Sequence, residues 1–227
     1  MRFEISSVDS IIIYFADDIS ENVLKKVSFY YKSLKSLNNH SIISIIPSYT
    51  SIYIRYDIYT FNDKSIILYL KEQLSNFKYD SNCELYQKTI TIPVYYSTRT
   101  GLDLKKISNE KRLSIDDIIY LHSSKTYLVY AVGFMPGFAY LAKVDDKIAT
   151  ARLKHPRDRL PKGSVGIADH QTAVYPRESP GGWNIIGRTP MKLFNPNSKE
   201  LSPFEIGFKV KFKPITKKEY LTLGGKI

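Results

Sequence analysis

Glycine is missing from the first hundred positions of this chain and is frequent after them. All eleven glycines lie at or after Gly101, and nine of the eleven prolines lie after position 100. Because glycine and proline mark turns, the first part should hold longer regular elements, and the second should hold short strands joined by many loops. At 227 residues the chain can form one large domain or two small ones, and either is long enough to bury a core. We therefore predict two domains, over 1–88 and 89–227.

The first domain has the pattern of a β-α-β-β-α-β unit. Asp18 and Glu21 are spaced as a capping box for a first helix, and Asn62 can cap a second one. Apolar residues then recur at helical spacing in both segments. Pro47 and Ser48 fall in the predicted turn between the second and third strands. This order predicts a small sheet with both helices on one face. The predicted strands are 10–15, 41–46 and 50–57, and a further strand over 89–96 leads into the second domain.

The second domain begins with two short helical patterns, over 102–109 and 115–121. Ser114 and Asp117 are spaced as a capping box for the later helix. β-Branched and aromatic strands follow, the last of which alternates apolar residues with lysines and so predicts one wet face. The pattern favours an all-β barrel or sandwich with a little helix, and an α+β class for the whole chain. The clearest strands are 126–134 and 208–215.

The net charge of +11 comes entirely from the second part of the chain. Residues 1–90 carry ten basic and ten acidic side chains, whereas residues 91–227 carry 23 basic and 12 acidic ones. A basic domain is typical of proteins that bind nucleic acid, an acidic partner or small anions. We expect no nucleic acid here, because neither a nucleic-acid-binding module nor interleaved stacking aromatics are present.

The single cysteine, Cys83, excludes an internal disulfide framework and a multi-cysteine zinc site. The first residues are too acidic for a signal peptide, and no segment reaches the ~18 apolar residues of a membrane span. We expect a cytoplasmic protein that does not bind membranes.

Three stretches rich in glycine and proline interrupt the second domain: 133–141, 155–183 and 187–190. In the tripeptides 135–137 (MPG) and 179–181 (SPG), proline presets the second turn position and glycine suits the third, which predicts type II turns. They are either simple hairpin turns or the wall of a site. The second interpretation rests on large aromatic residues close by in the sequence: Phe134, Phe138, Tyr140, Tyr175 and Trp183.

Basic residues cluster in the second of these stretches and beside it. Against a single acidic residue, Asp158, stand Arg152, Lys154, Arg157, Arg159 and Lys162. The planar fork of arginine suits carboxylate and phosphate, so an anion site is one interpretation and a solvated basic loop is the other. Arg188, between Gly187 and a Thr-Pro turn, is a better candidate for anion binding than any single residue of that loop.

Histidines offer few candidates for chemistry. His122 follows an amphipathic helix, where it can bond the last carbonyl groups, while His155 and His170 lie in the glycine–proline loops and are potential acid–base groups or ligands. No two histidines have metal-ligand spacing, so we predict no metal site. The residues alone therefore indicate a basic anion site, built from loops, on a β domain.

Four stretches of this sequence resemble a known family. LHSSKTYLVYAVGFMPGFAYLA (121–142), HPRDRLPKGSVGIA (155–168), QTAVYP (171–176) and SPGGWNIIGRTPMKLFNP (179–196) look like the hallmarks of the PxpB/KipI family. This family is also known as the B subunit of 5-oxoprolinase, as allophanate hydrolase subunit 1, or as carboxyltransferase subdomain C/D. The resemblance is strong from about residue 89 to 215 and weaker but collinear before that.

The resemblance implies an N-terminal α/β domain and a C-terminal cyclophilin-like β-barrel. It further implies a subunit of an ATP-dependent 5-oxoprolinase that converts 5-oxo-L-proline to L-glutamate. The expected partners are a PxpC/KipA-type subunit and a LamB/YcsF-type (PxpA) subunit, with ATP as co-substrate and no metal in this chain. Two alternatives remain: a regulatory protein that inhibits a sensor histidine kinase, or a non-catalytic half of an allophanate/urea-type amidohydrolase or carboxyltransferase.

Residue roles follow from residue type and position in these stretches. Arg157, Arg159 and Arg188 are expected to contact an anion, with Arg188 also a catalytic candidate, and His122 or His155 is expected to carry a proton. Trp183 is expected to pack structurally. The residues expected to shape the substrate pocket are Phe134, Pro136, Gly137, Ser179, Gly181 and Gly182.

The chain also departs from the family pattern at three positions. Arg99 stands where the family usually has an acidic residue, and Asp169 and Ala173 each replace a glycine. These departures are compatible with a substrate or partner that differs from the family norm.

Overall fold

A computed structural model describes residues 1–80 and 88–227. By its internal contacts the chain divides into two compact units, Met1–Tyr86 and Gln87–Ile227. Cys83, the lone cysteine of the sequence, lies outside the described residues.

The first unit contains a four-stranded antiparallel sheet in the order β1-β2-β4-β3, together with two helices. Apolar residues at alternate positions of β2 and β4 are buried, and helix α1 packs on β3 and β4 and contacts α2. The edge strand β1 was not predicted, because its side chains are mostly exposed and its sequence lacks clear alternation. The elements are β1 (Arg2–Ser7), β2 (Ser10–Tyr14), α1 (Glu21–Ser36), β3 (Ile42–Ser48), β4 (Ser51–Tyr56) and α2 (Asp63–Asn76).

The structure corrects two local predictions in this unit and confirms a third. Helix α1 is capped by Ser20, whose hydroxyl accepts a hydrogen bond from the Val23 N–H at 3.2 Å, and not by Asp18. Pro47 lies within β3 and not in the turn that follows this strand. The predicted cap Asn62 is confirmed, and it forms a capping box at the start of α2.

The second unit is built on a sheet that closes on itself. Its strands follow the order β6-β7-β10-β9-β12, while β13 pairs with β6 and, in parallel, with β5. An isolated bridge between Tyr95, just after β5, and Arg188 at the end of β12 joins the two ends. The elements are β5 (Thr89–Val94), α3 (Leu104–Lys111), α4 (Ile115–Ser123), β6 (Thr126–Val132), β7 (Ala139–Ala142), β8 (Arg157–Leu160), β9 (Ser164–Ala168), β10 (Gln171–Val174), β11 (Ser179–Gly181), β12 (Asn184–Arg188), β13 (Lys209–Pro214) and α5 (Lys217–Thr222).

This arrangement confirms the predicted α+β class with a barrel-like sheet in the C-terminal part. The two helical patterns before β6 are present as α3 and α4, and Ser114 and Asp117 form the predicted capping box. Buried and exposed residues alternate along β13, so one face of that strand is exposed to solvent, as predicted.

The two tripeptides predicted as type II turns behave differently. In Met135–Gly137 the glycine has φ +84° and the Phe138 N–H donates to the Met135 carbonyl at 3.0 Å, as the prediction requires. In contrast, residues 179–181 form the short strand β11, which pairs with β8 across an irregular register, so the second turn prediction is wrong. Proline tolerates such a place because a short edge strand with a bulge does not need its missing N–H.

Candidate functional site

The residues on either side of the turn at Met135–Gly137 and strand β11 line one pocket of the second unit. This pocket, here called the aromatic pocket, encloses about 340 Å³. Its walls consist mainly of aromatic and proline rings. Two glycines and one cationic side chain complete the lining. The lining residues are Phe134, Phe138, Tyr140, Arg152, Pro156, Tyr175, Pro180, Gly181, Gly182 and Trp183.

Phe138 is the centre of the ring cluster and is only 1% exposed. Its ring meets those of Tyr140 and Tyr175 edge-on, with centroids 4.9 and 5.4 Å apart. Trp183 packs against the same ring at 5.8 Å and 87°. Edge-to-face contacts of this kind fix the orientation of each ring, so the apolar floor of the pocket is preformed.

Glycine is required where this floor meets the backbone. A Cβ atom on Gly181 would collide with the hydroxyl group of Tyr175, and one on Gly137 would collide with the carbonyl group of Leu193. Gly137 also needs its positive φ. Gly181 therefore lets the β11 backbone approach the Tyr175 ring in the pocket, and Gly137 lets the turn before Phe138 pack on the backbone at Leu193.

Phe134 forms the exposed rim of the pocket. It is 64% exposed although it is a large apolar side chain, and its backbone has φ +68°. A bulky residue in the left-handed region is strained, and such strain is concentrated at functional sites. Its ring meets Phe138 at 5.3 Å and is held in place at the mouth of the pocket.

Arg152 supplies the only formal charge among the described residues that line the pocket. Its guanidinium lies over the Trp183 ring, 5.7 Å from the centroid, which holds the cation at the apolar wall. Burial raises the pKa of Tyr175 to about 12, although a hydrogen bond from the Trp183 backbone acts in the opposite direction. Burial also raises the pKa of Tyr140. Both phenols are therefore neutral at pH 7, and the pocket is apolar with one positive charge.

A second, basic pocket shares Arg152 with the aromatic pocket. It encloses about 470 Å³ and has one acidic lining residue, Glu110. Lys106, at 3.9 Å from Glu110, also donates to the Asn184 side chain at 3.0 Å. Its other basic lining residues are Lys111, Arg152 and Lys154. Arg152 thus lies where an apolar surface meets a basic one.

The predicted pocket-shaping residues are only partly brought together. Phe134, Gly181 and Gly182 line the aromatic pocket, while Gly137 does not line it and packs on the backbone at Leu193. Pro136 is exposed on the turn, and the Ser179 hydroxyl donates to the carbonyl of Pro180. Trp183 is 5% exposed, so it has the predicted structural role and also forms part of the pocket wall.

Two predicted anion-binding arginines are engaged by carboxylates of the chain itself. Both terminal nitrogens of Arg157 bind the buried carboxylate of Asp103. Arg159 donates from Nε to Glu178 at 2.6 Å on the exposed surface. Neither residue lines the aromatic pocket, so this pocket takes its positive charge from Arg152 instead.

His122 is fully buried inside α4 and does not bond the last carbonyl groups of that helix through its ring. The hydroxyl of Thr172 donates to Gly166 and so accepts from His122 Nε2 at 2.8 Å. The remaining nitrogen, Nδ1, therefore accepts from the Tyr96 hydroxyl at 2.8 Å. Burial lowers the pKa of His122 to about 3. This neutral, buried imidazole therefore links α4 to the Tyr96 hydroxyl and to β10, and it does not line the aromatic pocket.

The other two candidate histidines, His155 and His170, and Arg188 do not line the aromatic pocket. His155 is exposed, and His170 faces the Asp146 carboxylate at 3.3 Å. Arg188 lines a different groove near α5. The described residues contain no group of three or more His, Cys, Asp or Glu side chains that could hold a metal ion. No helix in the described ranges is long and apolar enough to cross a membrane.

Sequence reasoning did not single out Arg152. It was one of five basic residues in its stretch, and nothing in the sequence separates it from Arg157 or Arg159. The crowding of aromatic residues was the useful signal, since all five of the aromatics it named line the pocket.

The fold and this site define a class of protein: an α+β chain whose closed β-sheet unit carries a preformed aromatic pocket with one arginine. The model of one family, described as carboxyltransferase domain, subdomain C and D, matches residues 1–204. The chain therefore belongs to the carboxyltransferase subdomain C and D family, and the predicted PxpB/KipI relationship is confirmed.

Relatives of known name and structure support this assignment. A protein from Bacillus subtilis, named as the B subunit of 5-oxoprolinase, is 33% identical over 232 residues, covering 97% of this chain and 96% of the relative. The crystal structure of TTHA0988 superposes with a TM-score of 0.81 at 28% identity, over 92% of this chain and 40% of that one. The chain thus spans less than half of TTHA0988. Kluyveromyces lactis urea carboxylase shares the fold, with a TM-score of 0.79 at 16% identity over 97% of this chain and 22% of that one.

Proposed function

We propose that this chain is a subunit of an ATP-dependent 5-oxoprolinase complex that hydrolyses 5-oxo-L-proline to L-glutamate. The name of the Bacillus subtilis relative, which is similar along almost its full length, supports this substrate. Among the features of the structure, the aromatic pocket with Arg152 carries the proposal.

The chemistry of the pocket suits this substrate. 5-Oxoproline is a small five-membered lactam whose ring carbons are apolar and which bears one carboxylate. The edges of Phe138 and Trp183 offer an apolar surface to the ring, and Phe134 covers it from the rim. Arg152 is placed to accept the carboxylate in its planar fork.

The pocket alone lacks the groups that open a lactam. No carboxylate, histidine or cysteine of the described residues lines it, and both tyrosines remain protonated at neutral pH. A general base must therefore come from another chain, and we assign this part to the PxpC/KipA-type subunit. A LamB/YcsF-type (PxpA) subunit completes the complex, and this chain alone is inactive.

ATP is the co-substrate in this proposal because a lactam is stabilised by resonance. Transfer of the γ-phosphoryl group to the lactam oxygen would release ADP and activate the ring carbon. Attack of water on that carbon would then break the ring C–N bond, so that the nitrogen becomes the amine of glutamate. Hydrolysis of the resulting acyl phosphate would release inorganic phosphate and L-glutamate. Preorganised positive charge stabilises the anion that develops. The role of this chain is to bind and orient the lactam.

The test is 5-oxoproline-stimulated ATP hydrolysis by the reconstituted complex. Arg152→Gln should raise KM for 5-oxoproline by about tenfold or more, because a charge-assisted contact is lost. Lys211→Gln, which removes a positive charge from the exposed face of β13, is the matched control and should leave KM unchanged. A complex that assembles but shows no stimulation by 5-oxoproline would refute the substrate assignment.

A further inference from the structure

A second groove of the barrel unit, distinct from the aromatic pocket, contains Arg188. We call it the Arg188 groove. It encloses about 470 Å³ between the end of β12, the loop before β9 and the segment after α5. Its lining residues are Pro161, Lys162, Arg188, Thr189, Pro190, Lys192, Tyr220, Leu223, Gly224, Gly225 and Lys226.

The charge of this groove is entirely positive. Four of its lining residues are cationic, namely Lys162, Arg188, Lys192 and Lys226, and no acidic side chain of the described residues lines it. The three lysines are exposed, and none forms an ion pair within the described part of the chain. A concave surface with charges of one sign concentrates ligands of the opposite sign.

Arg188 is held rigidly at the base of the groove. Its backbone closes the barrel through two hydrogen bonds with Tyr95, at 2.9 and 3.1 Å. Its Nη1 donates to the Lys226 carbonyl at 3.0 Å. Its Nε is buried and has no hydrogen-bond partner among the described residues. Arg188 as a whole is partly exposed and lines the groove, so the part of its fork that is not bound to the Lys226 carbonyl can donate to a ligand there.

The walls on both sides of Arg188 are also fixed by backbone contacts. On one side Gly163 has φ +82°, and its carbonyl accepts from the Thr189 N–H at 2.9 Å, which places the neighbouring Lys162. On the other side the Tyr220 hydroxyl donates to the Lys226 carbonyl at 2.9 Å. The groove is therefore preorganised around the guanidinium.

Comparison with the other two candidate arginines sharpens this point. Arg157 and Arg159 each bind a carboxylate of this chain, whereas Arg188 meets only a backbone carbonyl. We propose that the Arg188 groove binds a ligand that carries a phosphate group. Four cations exceed the charge of one carboxylate, and they match a phosphate or polyphosphate, which combines several charges with acceptor oxygens for an arginine fork. This inference goes beyond the proposed function, since it assigns a ligand class to a separate groove.

Titration calorimetry of the full chain at near-physiological salt tests the proposal, with pyrophosphate, inorganic phosphate and ATP as probes. Pyrophosphate should bind saturably, and Arg188→Gln should weaken binding by about tenfold or more. Lys192→Gln, at an exposed position, should weaken it by a smaller factor. The matched controls Arg177→Gln and Lys211→Gln change exposed residues outside the groove and should have no effect.

The arms of the experiment separate the sources of the phosphate. ATP that binds more tightly than pyrophosphate identifies a nucleotide ligand, and equal affinities identify a site that recognises the phosphate groups alone. Far-UV circular dichroism checks that the Arg188→Gln variant is folded. Lys192→Gln tests the contribution of the groove to binding without changing Arg188. The proposal is overturned if none of the three probes binds, or if the groove variants bind like their controls.

The outcome is independent of the oxoprolinase assignment. Arg152→Gln should leave pyrophosphate binding intact, because Arg152 lines other pockets. Pyrophosphate binding in a chain whose complex ignores 5-oxoproline would leave the groove proposal standing without the proposed reaction. If 5-oxoproline stimulates the complex but the Arg188 groove binds no phosphate, the proposed reaction stands and the groove proposal fails.

Discussion

Arg157 and Asp103 form a two-pronged ion pair that ties strand β8 to the start of helix α3. Nη1 binds Oδ2 at 3.0 Å and Nη2 binds Oδ1 at 2.8 Å. The Asp103 carboxylate, 3% exposed, also accepts the Ile185 N–H at 2.7 Å. This one carboxylate thus joins three segments that are distant in the sequence.

Asp103→Ala is expected to destabilise the protein by about 3 kcal/mol or more, because it leaves a guanidinium and a buried backbone N–H without their acceptor. Urea denaturation at pH 7 measures the free energy of unfolding. Glu178→Ala breaks the exposed pair with Arg159 and serves as the control, with an expected change below about 1 kcal/mol. Equal losses in the two variants would contradict the structural role of Asp103.

The same ion pair shows where sequence reasoning reached its limit. Arg157 was predicted to bind an external anion, since its type and its loop suit that role. Its partner lies 54 positions earlier, and no local pattern connects the two. The cap at Asn62 and the capping box at Ser114 were predicted correctly, and their partners lie within three residues.

The two turn predictions were only half correct, because the outcome again depended on residues that are distant in the sequence. A Pro-Gly pair suits both a type II turn and a bulged edge strand. Pro136-Gly137 became the turn, whereas Pro180-Gly181 became a strand because β8 was available to pair with it. The aromatic pocket lies beside both the turn and the strand. Its aromatic residues could be predicted from the sequence, but their arrangement around the pocket could not.

Gly181→Ala is expected to destabilise the protein by about 2 kcal/mol, because the new methyl group would press on the Tyr175 hydroxyl and the Leu160 side chain. Gly133→Ala is the matched control, since a Cβ there meets nothing within 4 Å. Thermal unfolding monitored by circular dichroism compares the two. Adding Tyr175→Phe to Gly181→Ala should recover part of the loss, and strictly additive effects would argue against the contact.

Phe138 and Phe134 should separate stability from substrate binding. Phe138→Ala removes the centre of the buried ring cluster and should cost about 3–5 kcal/mol in the free energy of unfolding. Phe134→Ala removes an exposed rim residue and should cost less than about 1 kcal/mol. In the reconstituted complex Phe134→Ala should still raise KM for 5-oxoproline several-fold. An unchanged KM would remove Phe134 from the site.

His122 should make the protein less stable as the pH falls. Its pKa is lowered to about 3 by burial in the folded state, whereas the unfolded chain has the ordinary value of about 6.5. Between these two values the unfolded chain binds the extra proton. The resulting stability is therefore fully present above pH 6.5 and is lost on acidification, at up to about 1.4 kcal/mol per pH unit.

His122→Gln isolates this contribution from that of the carboxylates. The glutamine amide can still donate to Thr172 and accept from Tyr96, but it does not titrate. Urea denaturation at pH 7, 6 and 5 should show a steeper loss of stability in the wild type than in the variant. Parallel losses would mean that the imidazole can take up a proton in the folded protein. The buried network around His122 would then tolerate a charge, which its fully enclosed position argues against.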